Sequence, residues 1–143
     1  MAKKRIFISF DYEKDKRYKF LLEAWNKNSN FELSFADNSS GEIQSSDIGR
    51  IKAGLTSKIN GADGTLVIVG KHCNDKHKDS QEIGYKNWQI FEIEQSKKND
   101  NKIVAVKLDK QNESPDALLH CGCKWAMSYK EDAILQALNE SFD

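Results

Sequence analysis

Trp88 and Glu92 stand four residues apart in the stretch 87–93, NWQIFEI, and residues at i and i+4 share one face of a helix. A flat indole beside a single carboxylate can hold a nucleobase or pyridine ring next to a sugar bond that is to be broken. Most helix glutamates are solvated and most tryptophans are packing residues. The pair therefore gains meaning only from the elements that position it.

Short apolar runs alternate with helical patterns along the chain. Residues 5–10, RIFISF, read as a first strand, followed by Phe20, Leu21, Ala24 and Trp25 at helical spacing. Residues 31–35 alternate as a second strand, and the polar stretch from Asp37 to Ser46 reads as a long connection rich in Ser and Asn. Ile48, Ile51, Leu55 and Ile59 mark a helix stripe closed by Gly61, and residues 65–69, TLVIV, form the continuous apolar run of a strand buried on both faces. Residues 102–106 repeat that run after the Trp88 helix. Residues 124–127 give a weaker fifth strand, and Ser128 and Glu131 have capping-box spacing before Ile134, Leu135 and Leu138.

This alternation predicts one α/β domain over residues 1–143, a doubly wound, flavodoxin-like five-stranded parallel sheet with helices on both faces. Such a sheet offers a crevice at the carboxyl ends of its strands, where the strand order reverses. For the order 2-1-3-4-5 the crevice lies beside strands one and three. Phe10, Asp11 and Tyr12, the 37–46 loop and the segment after Gly70 then converge there, and so does the first turn of the Trp88 helix. Glu92 is expected on a partly exposed part of that helix.

Composition narrows the function classes. Lys+Arg and Asp+Glu each number 22, so bulk charge predicts no nucleic-acid partner. The basic start, Met1 to Arg5, leads into an apolar run too short for a signal peptide core or a membrane span. A cytoplasmic protein with no membrane partner is expected, its three cysteines free thiols. No G-x-G-x-x-G follows the first strand, and there is no phosphate-binding G-x-x-x-x-G-K-[ST] loop and no G-x-S-x-G elbow. The third strand ends in Val69, Gly70 and Lys71, where a phospho-acceptor domain would need an aspartate.

Histidine and cysteine fall in two clusters, His72, Cys73 and His77, and His120, Cys121 and Cys123. They are zinc-type ligands, but the C-x-C spacing is tighter than usual structural sites. In a parallel sheet the loop leaving strand three and the loop entering strand five open at opposite ends. No metal site is expected.

Residues 7–10, FISF, before a polar loop resemble the first box of Toll/interleukin-1 receptor (TIR) domains. Trp88-x-x-x-Glu92-Ile93 resembles the helix carrying the glutamate of TIR enzymes that cleave NAD, and Lys124-Trp125 before the last helix is similar too. The resemblance spans essentially the whole chain and looks strongest to the bacterial TIR-like ThsB proteins of Thoeris antiphage systems. It departs from the pattern at Asp11 and Tyr12, where many TIR enzymes carry basic residues, and in the 37–46 loop, which lacks the familiar proline.

The resemblance implies an NAD glycohydrolase or ADP-ribosyl cyclase that breaks the nicotinamide–ribose bond and makes an ADP-ribose-derived, cyclic signal in antiphage defence. NAD is then a substrate, and no cofactor is required. Nicotinamide leaves as a neutral molecule and needs no general acid, so one carboxylate suffices where ordinary glycosidases use two. Glu92 would stabilise the oxocarbenium-like sugar, Trp88 would wall the nicotinamide pocket, and Phe10 would pack against the nucleotide. Ser9 or Asp11 would position ribose hydroxyls or water. Ser45 and Ser46 would donate to phosphate from a helix amino terminus. Implied partners are NAD, other TIR domains through self-assembly, and a downstream effector that receives the product. The 37–46 loop reads as a lid over the crevice. Two alternatives remain: a non-catalytic TIR adaptor, and an enzyme like the nucleoside deoxyribosyltransferases, which also set a glutamate against an N-glycosidic bond.

Overall fold

The computed structural model describes residues 4–11, 17–18, 33–35, 47–119 and 122–142. The helix expected around Phe20 to Trp25, the 37–46 loop with Ser45 and Ser46, and His120 and Cys121 lie outside the described residues. Strands form where apolar residues run continuously or alternate: β1 at Lys4–Ser9, β2 at Leu33–Phe35, β3 at Gly64–Val69, β4 at Lys102–Lys107 and β5 at Lys124–Ala126. They make a five-stranded sheet in the order β2-β1-β3-β4-β5, every adjacent pair parallel. The chain steps from β1 to β2 on one side and then crosses back to β3 on the other. The order therefore reverses between β1 and β3, which opens the crevice at their carboxyl ends.

Three described helices exceed a single turn: α1 at Ile48–Asn60, α2 at Trp88–Lys98 and α3 at Glu131–Phe142. The spacing of Ile51, Leu55 and Ile59 gives α1 its buried stripe. Asp47 caps its start by accepting from the Arg50 amide, and Gly61 closes it. A separate turn at Ser80–Ile83 ends on Gly84, whose φ of 85° lies in the left-handed region open to glycine. The capping-box expectation for the last helix needs correction. α3 begins at Glu131, and Ser128 only accepts the Lys130 amide through its carbonyl oxygen.

Side-chain alternation along the strands sorts the core into two layers. Ile6, Ile8, Leu66, Ile68, Val104 and Val106 pack with Ile134, Ala137 and Leu138 of α3. Phe7 packs on the opposite face with Ile51, Leu55 and Ile59 of α1 and Phe91 of α2. Val67, Val69, Ile103 and Ala105 join Ile93 of α2 on that same side. Helices thus cover both faces, and every residue of β3 is buried. At its start, a Cβ on Gly64 would come within 2.8 Å of Phe142 Cζ and 3.0 Å of the Lys102 carbonyl oxygen. Glycine is what lets the end of α3 reach the sheet. Among the described residues, no helix is long and apolar enough to cross a membrane.

Candidate active site

β1 ends on Ser9, and its hydroxyl donates to Glu92 Oε1 at 2.7 Å. Both residues are buried, Ser9 at 0% exposure and Glu92 at 1%. This corrects the expectation of a partly exposed Glu92: the carboxyl sits between α2 and the sheet. Burial raises its pKa from 4.5 to about 8, and the Ser9 hydrogen bond pulls the other way without offsetting it. At neutral pH the carboxyl is therefore mainly protonated in the described state. Among the described residues, no donor or acceptor meets its second oxygen, Oε2.

The residues that seat Glu92 come from α2 itself. Gln89, Glu92, Ile93 and Ser96 are all buried, at the i, i+3, i+4, i+7 spacing of a core-facing stripe. Three of those four positions are polar, so this helix turns its polar groups inward. The Gln89 Nε2 donates to the Ile68 carbonyl at 2.7 Å and to the Ser9 carbonyl at 3.2 Å. It ties β1 to β3 just past their last paired residues, Ser9 and Val67. One turn further on, the Ser96 hydroxyl donates to the Glu92 carbonyl at 2.8 Å and lies 2.7 Å from Thr65 Oγ1 on β3. Asn101 Nδ2 adds a bond to Thr65 at 3.4 Å and one to the Ile59 carbonyl at 3.0 Å.

The amino end of α2 is pinned with equal care. Asn87 Oδ1 accepts the Ile90 amide, and Asn87 Nδ2 donates to the carbonyls of Cys73 and Asp75. One side chain thus caps the helix and holds the loop that leaves β3. Trp88, half-buried at the first helical position, meets Phe91 edge-on at 5.7 Å and His77 at 6.4 Å between ring centroids. Its ring orientation is fixed from two sides.

Trp88 packs with Phe91 and His77, and the structure brings Ser9 and Glu92 together at the carboxyl end of β1. It separates Phe10 from them. Strand alternation sends Phe10, 3% exposed, into the aliphatic layer under α3 with Ile8 and Ile68. Asp11, half-buried, follows it directly. At the amino end of α1 the Asp47 carboxylate already caps Arg50, so the helix terminus proposed as a phosphate cradle for Ser45 and Ser46 opens with an anion of its own. Gln89, Ser96 and Thr65 are site residues that sequence reasoning missed.

Two surface grooves are lined by other residues. One, of about 800 Å³, runs between α1 and the 83–85 segment and includes Lys52, Tyr85 and Phe91. Another, of about 530 Å³, includes Ile90, Glu94 and Asp116. Neither reaches Glu92. Among the described residues no three His, Cys, Asp or Glu side chains gather as metal ligands. His72 Nδ1 lies 2.7 Å from Asp75 Oδ2, and Cys73 Sγ donates to the Glu113 carbonyl at 3.3 Å.

Comparison with known proteins gives two findings. The family model described as "Thoeris protein ThsB, TIR-like domain" matches residues 7–113. A solved structure entitled "Crystal Structure of a prokaryotic SEFIR domain" superposes with a TM-score of 0.57 at 16% identity, covering 96% of this chain and 95% of its own. That likeness concerns the fold. No curated protein matches the sequence.

Proposed function

Because the chain belongs to the TIR-like domain family of Thoeris protein ThsB, we propose that it cleaves the nicotinamide–ribose bond of NAD and passes the ADP-ribosyl unit into an ADP-ribose-derived, cyclic signal for antiphage defence. The observation that carries this reading is a carboxyl 1% exposed, held by the Ser9 hydroxyl where the strand order reverses. A buried, pKa-shifted acid in the ligand crevice of an open α/β sheet is poorly explained by stability, since burying it disfavours its charged form.

The chemistry proceeds through the charge on the sugar. The glycosidic bonding pair leaves with nicotinamide, which departs neutral, and positive charge develops on the ribose carbon and ring oxygen. Ionised Glu92 lies ready to stabilise that charge and to accept from ribose hydroxyls, with Ser9 holding Oε1 in place. A preorganised contact of this kind lowers a barrier by roughly 3 to 4 kcal/mol. The pyridinium of NAD is itself cationic, so its arrival favours loss of the Glu92 proton. A hydroxyl of the same molecule then attacks the sugar carbon and releases a proton, which closes a ring; water in its place gives ADP-ribose. Trp88 forms the pocket wall, and Asp11, following β1 and Phe10, serves ribose hydroxyls or water at the rim. The other partners proposed are further TIR domains and the effector that receives the product.

Mass spectrometry of NAD incubated with the protein, with and without lysate from infected cells, tests this directly. Nicotinamide should appear in step with an ADP-ribose-derived product. Base exchange between nucleosides would instead identify a deoxyribosyltransferase, and absence of either reaction an adaptor.

A further inference from the structure

Gln89 is 5% exposed, and both bonds made by its amide go out through nitrogen, to the carbonyls of Ser9 and Ile68. That assignment is chemically forced. Turning the amide over would set its oxygen against two carbonyl oxygens, an arrangement without a single donor. The Oε1 of Gln89 is therefore the atom left over, and among the described residues no donor reaches it. A buried amide oxygen without a donor is unusual enough to need a cause.

Its location supplies one. Gln89 bonds to the backbone of Ser9, whose side chain bonds to Glu92. Gln89 Oε1, which accepts no hydrogen bond among the described residues, and Glu92 Oε2, the oxygen left to carry the proton while Ser9 donates to Oε1, thus flank one serine at the carboxyl ends of β1 and β3. Glu92 Oε2 is absorbed by the proposed reaction. Gln89 Oε1 is not.

We infer that Gln89 is a substrate-binding residue, whose side-chain oxygen accepts a hydrogen bond from an N–H or O–H donor of the nucleotide bound over Glu92. The inference rests on the reading of the site as one for NAD. Two groups next to the scissile bond carry such donors, the carboxamide of nicotinamide and the hydroxyls of the adjoining ribose. A site built to accept from a donor discriminates strongly against a ligand that lacks it, because the acceptor is then left buried and unpaired.

The test compares kcat/KM for NAD with that for two analogues, in wild-type protein and in Gln89→Met. One analogue replaces the carboxamide by a methyl ketone, and the other lacks a hydroxyl on the nicotinamide ribose. Wild type should prefer NAD over the analogue missing the relevant donor by about tenfold or more, and Gln89→Met should bring that ratio close to one. Whichever analogue shows the collapse identifies the donor. Each ratio is taken within one preparation, so loss of folded protein cancels, and a purely structural Gln89 would lower all rates together. Equal ratios in the two proteins would overturn the inference and leave Gln89 Oε1 to an ordered water.

A second measurement needs neither turnover nor a Gln89 variant. In Glu92→Gln protein, the 13C resonance of the Gln89 side-chain carbonyl should move on titration with NAD and move less with the analogue lacking the donor. No movement with any of the three overturns the inference. Movement without nicotinamide release by wild type would keep Gln89 as a binding residue and sink the proposed reaction instead. Release by wild type with unmoved ratios sinks only Gln89.

Discussion

The α3 side of the sheet and the α2 side are both buried, yet they meet their helices in opposite ways. Under α3, the strands contribute Ile, Leu, Val and Phe10 against Ile134, Ala137 and Leu138. Under α2, Ser9 and Thr65 of the sheet face Glu92 and Ser96 of the helix, with Gln89 bonded to strand carbonyls. Apolar contact is non-directional and gains with area. Buried polar contact gains little net stability, and each group left unpaired is a liability. The α2 side keeps apolar clusters of its own around Phe7, Val67 and Ile93, but along the Gln89, Glu92 and Ser96 stripe it gives up stability to hold a buried carboxyl in a defined place.

The sharpest break between the two sides should come from Glu92→Gln. Turnover of NAD should fall by roughly 100- to 1000-fold while the chain stays folded, since glutamine keeps the shape and still accepts from Ser9. Near wild-type turnover in a mass-spectrometric assay would remove Glu92 from the mechanism. The same variant should be more stable at alkaline pH. The Glu92 carboxyl holds its proton more tightly folded, at about 8, than at its ordinary 4.5. Between those values folding takes up a proton, so this contribution to stability is complete below about 4.5 and is lost as pH rises through about 8. At about 1.4 kcal/mol per pKa unit the loss amounts to a few kcal/mol. Thermal melts of wild type from pH 5 to 9 should fall more steeply than those of Glu92→Gln, and parallel curves would contradict the burial of the carboxyl.

On the opposite side, Leu138→Ala should cost about 2–5 kcal/mol of folding stability, read from urea unfolding, and leave kcat/KM per folded chain unchanged. A specific loss of activity there would show that the two layers are coupled. The pH profile comes next in size. kcat/KM reports the free protein, so it should rise with pH toward a midpoint near the Glu92 value of about 8. kcat should have its midpoint lower, because the bound pyridinium favours the ionised acid. A flat profile from pH 6 to 9 would mean that Glu92 does not act as a carboxylate. Ser9→Ala, which removes a hydrogen bond that lowers the pKa, should move the kcat/KM profile to higher pH and reduce activity at pH 7 by about tenfold. The smallest effect is expected of Thr65→Val, about 1 kcal/mol, because Ser96 keeps its bond to the Glu92 carbonyl.

Much of the framework was legible in the sequence. The 65–69 run gave a strand buried on both faces, and Ile51, Leu55 and Ile59 gave the stripe of α1. Glu92 was legible as a candidate because its helix follows the third strand, whereas Ser9 entered only through the family resemblance. Phe10 was placed at the same site against a signal already present. Alternation from Phe7 through Ser9 puts Phe10 on the other face with Ile6 and Ile8. Gln89 and Ser96 were missed because polar helix residues are read as solvated by default. Their spacing around Ile93 marks them as core positions nonetheless, and only the identity of the side chains argued otherwise.

The Thr65, Ser96 and Asn101 bonds described above have a consequence for the azimuth of α2. A helix resting on aliphatic side chains can roll about its own axis by several degrees with little change in buried area. One keyed to the sheet by directional hydrogen bonds is indexed to a single rotation. Ser96 is linked to the backbone oxygen of Glu92 and to the side chain of β3 at once. The direction in which the carboxyl points is therefore set one turn away, by residues that need never meet a ligand.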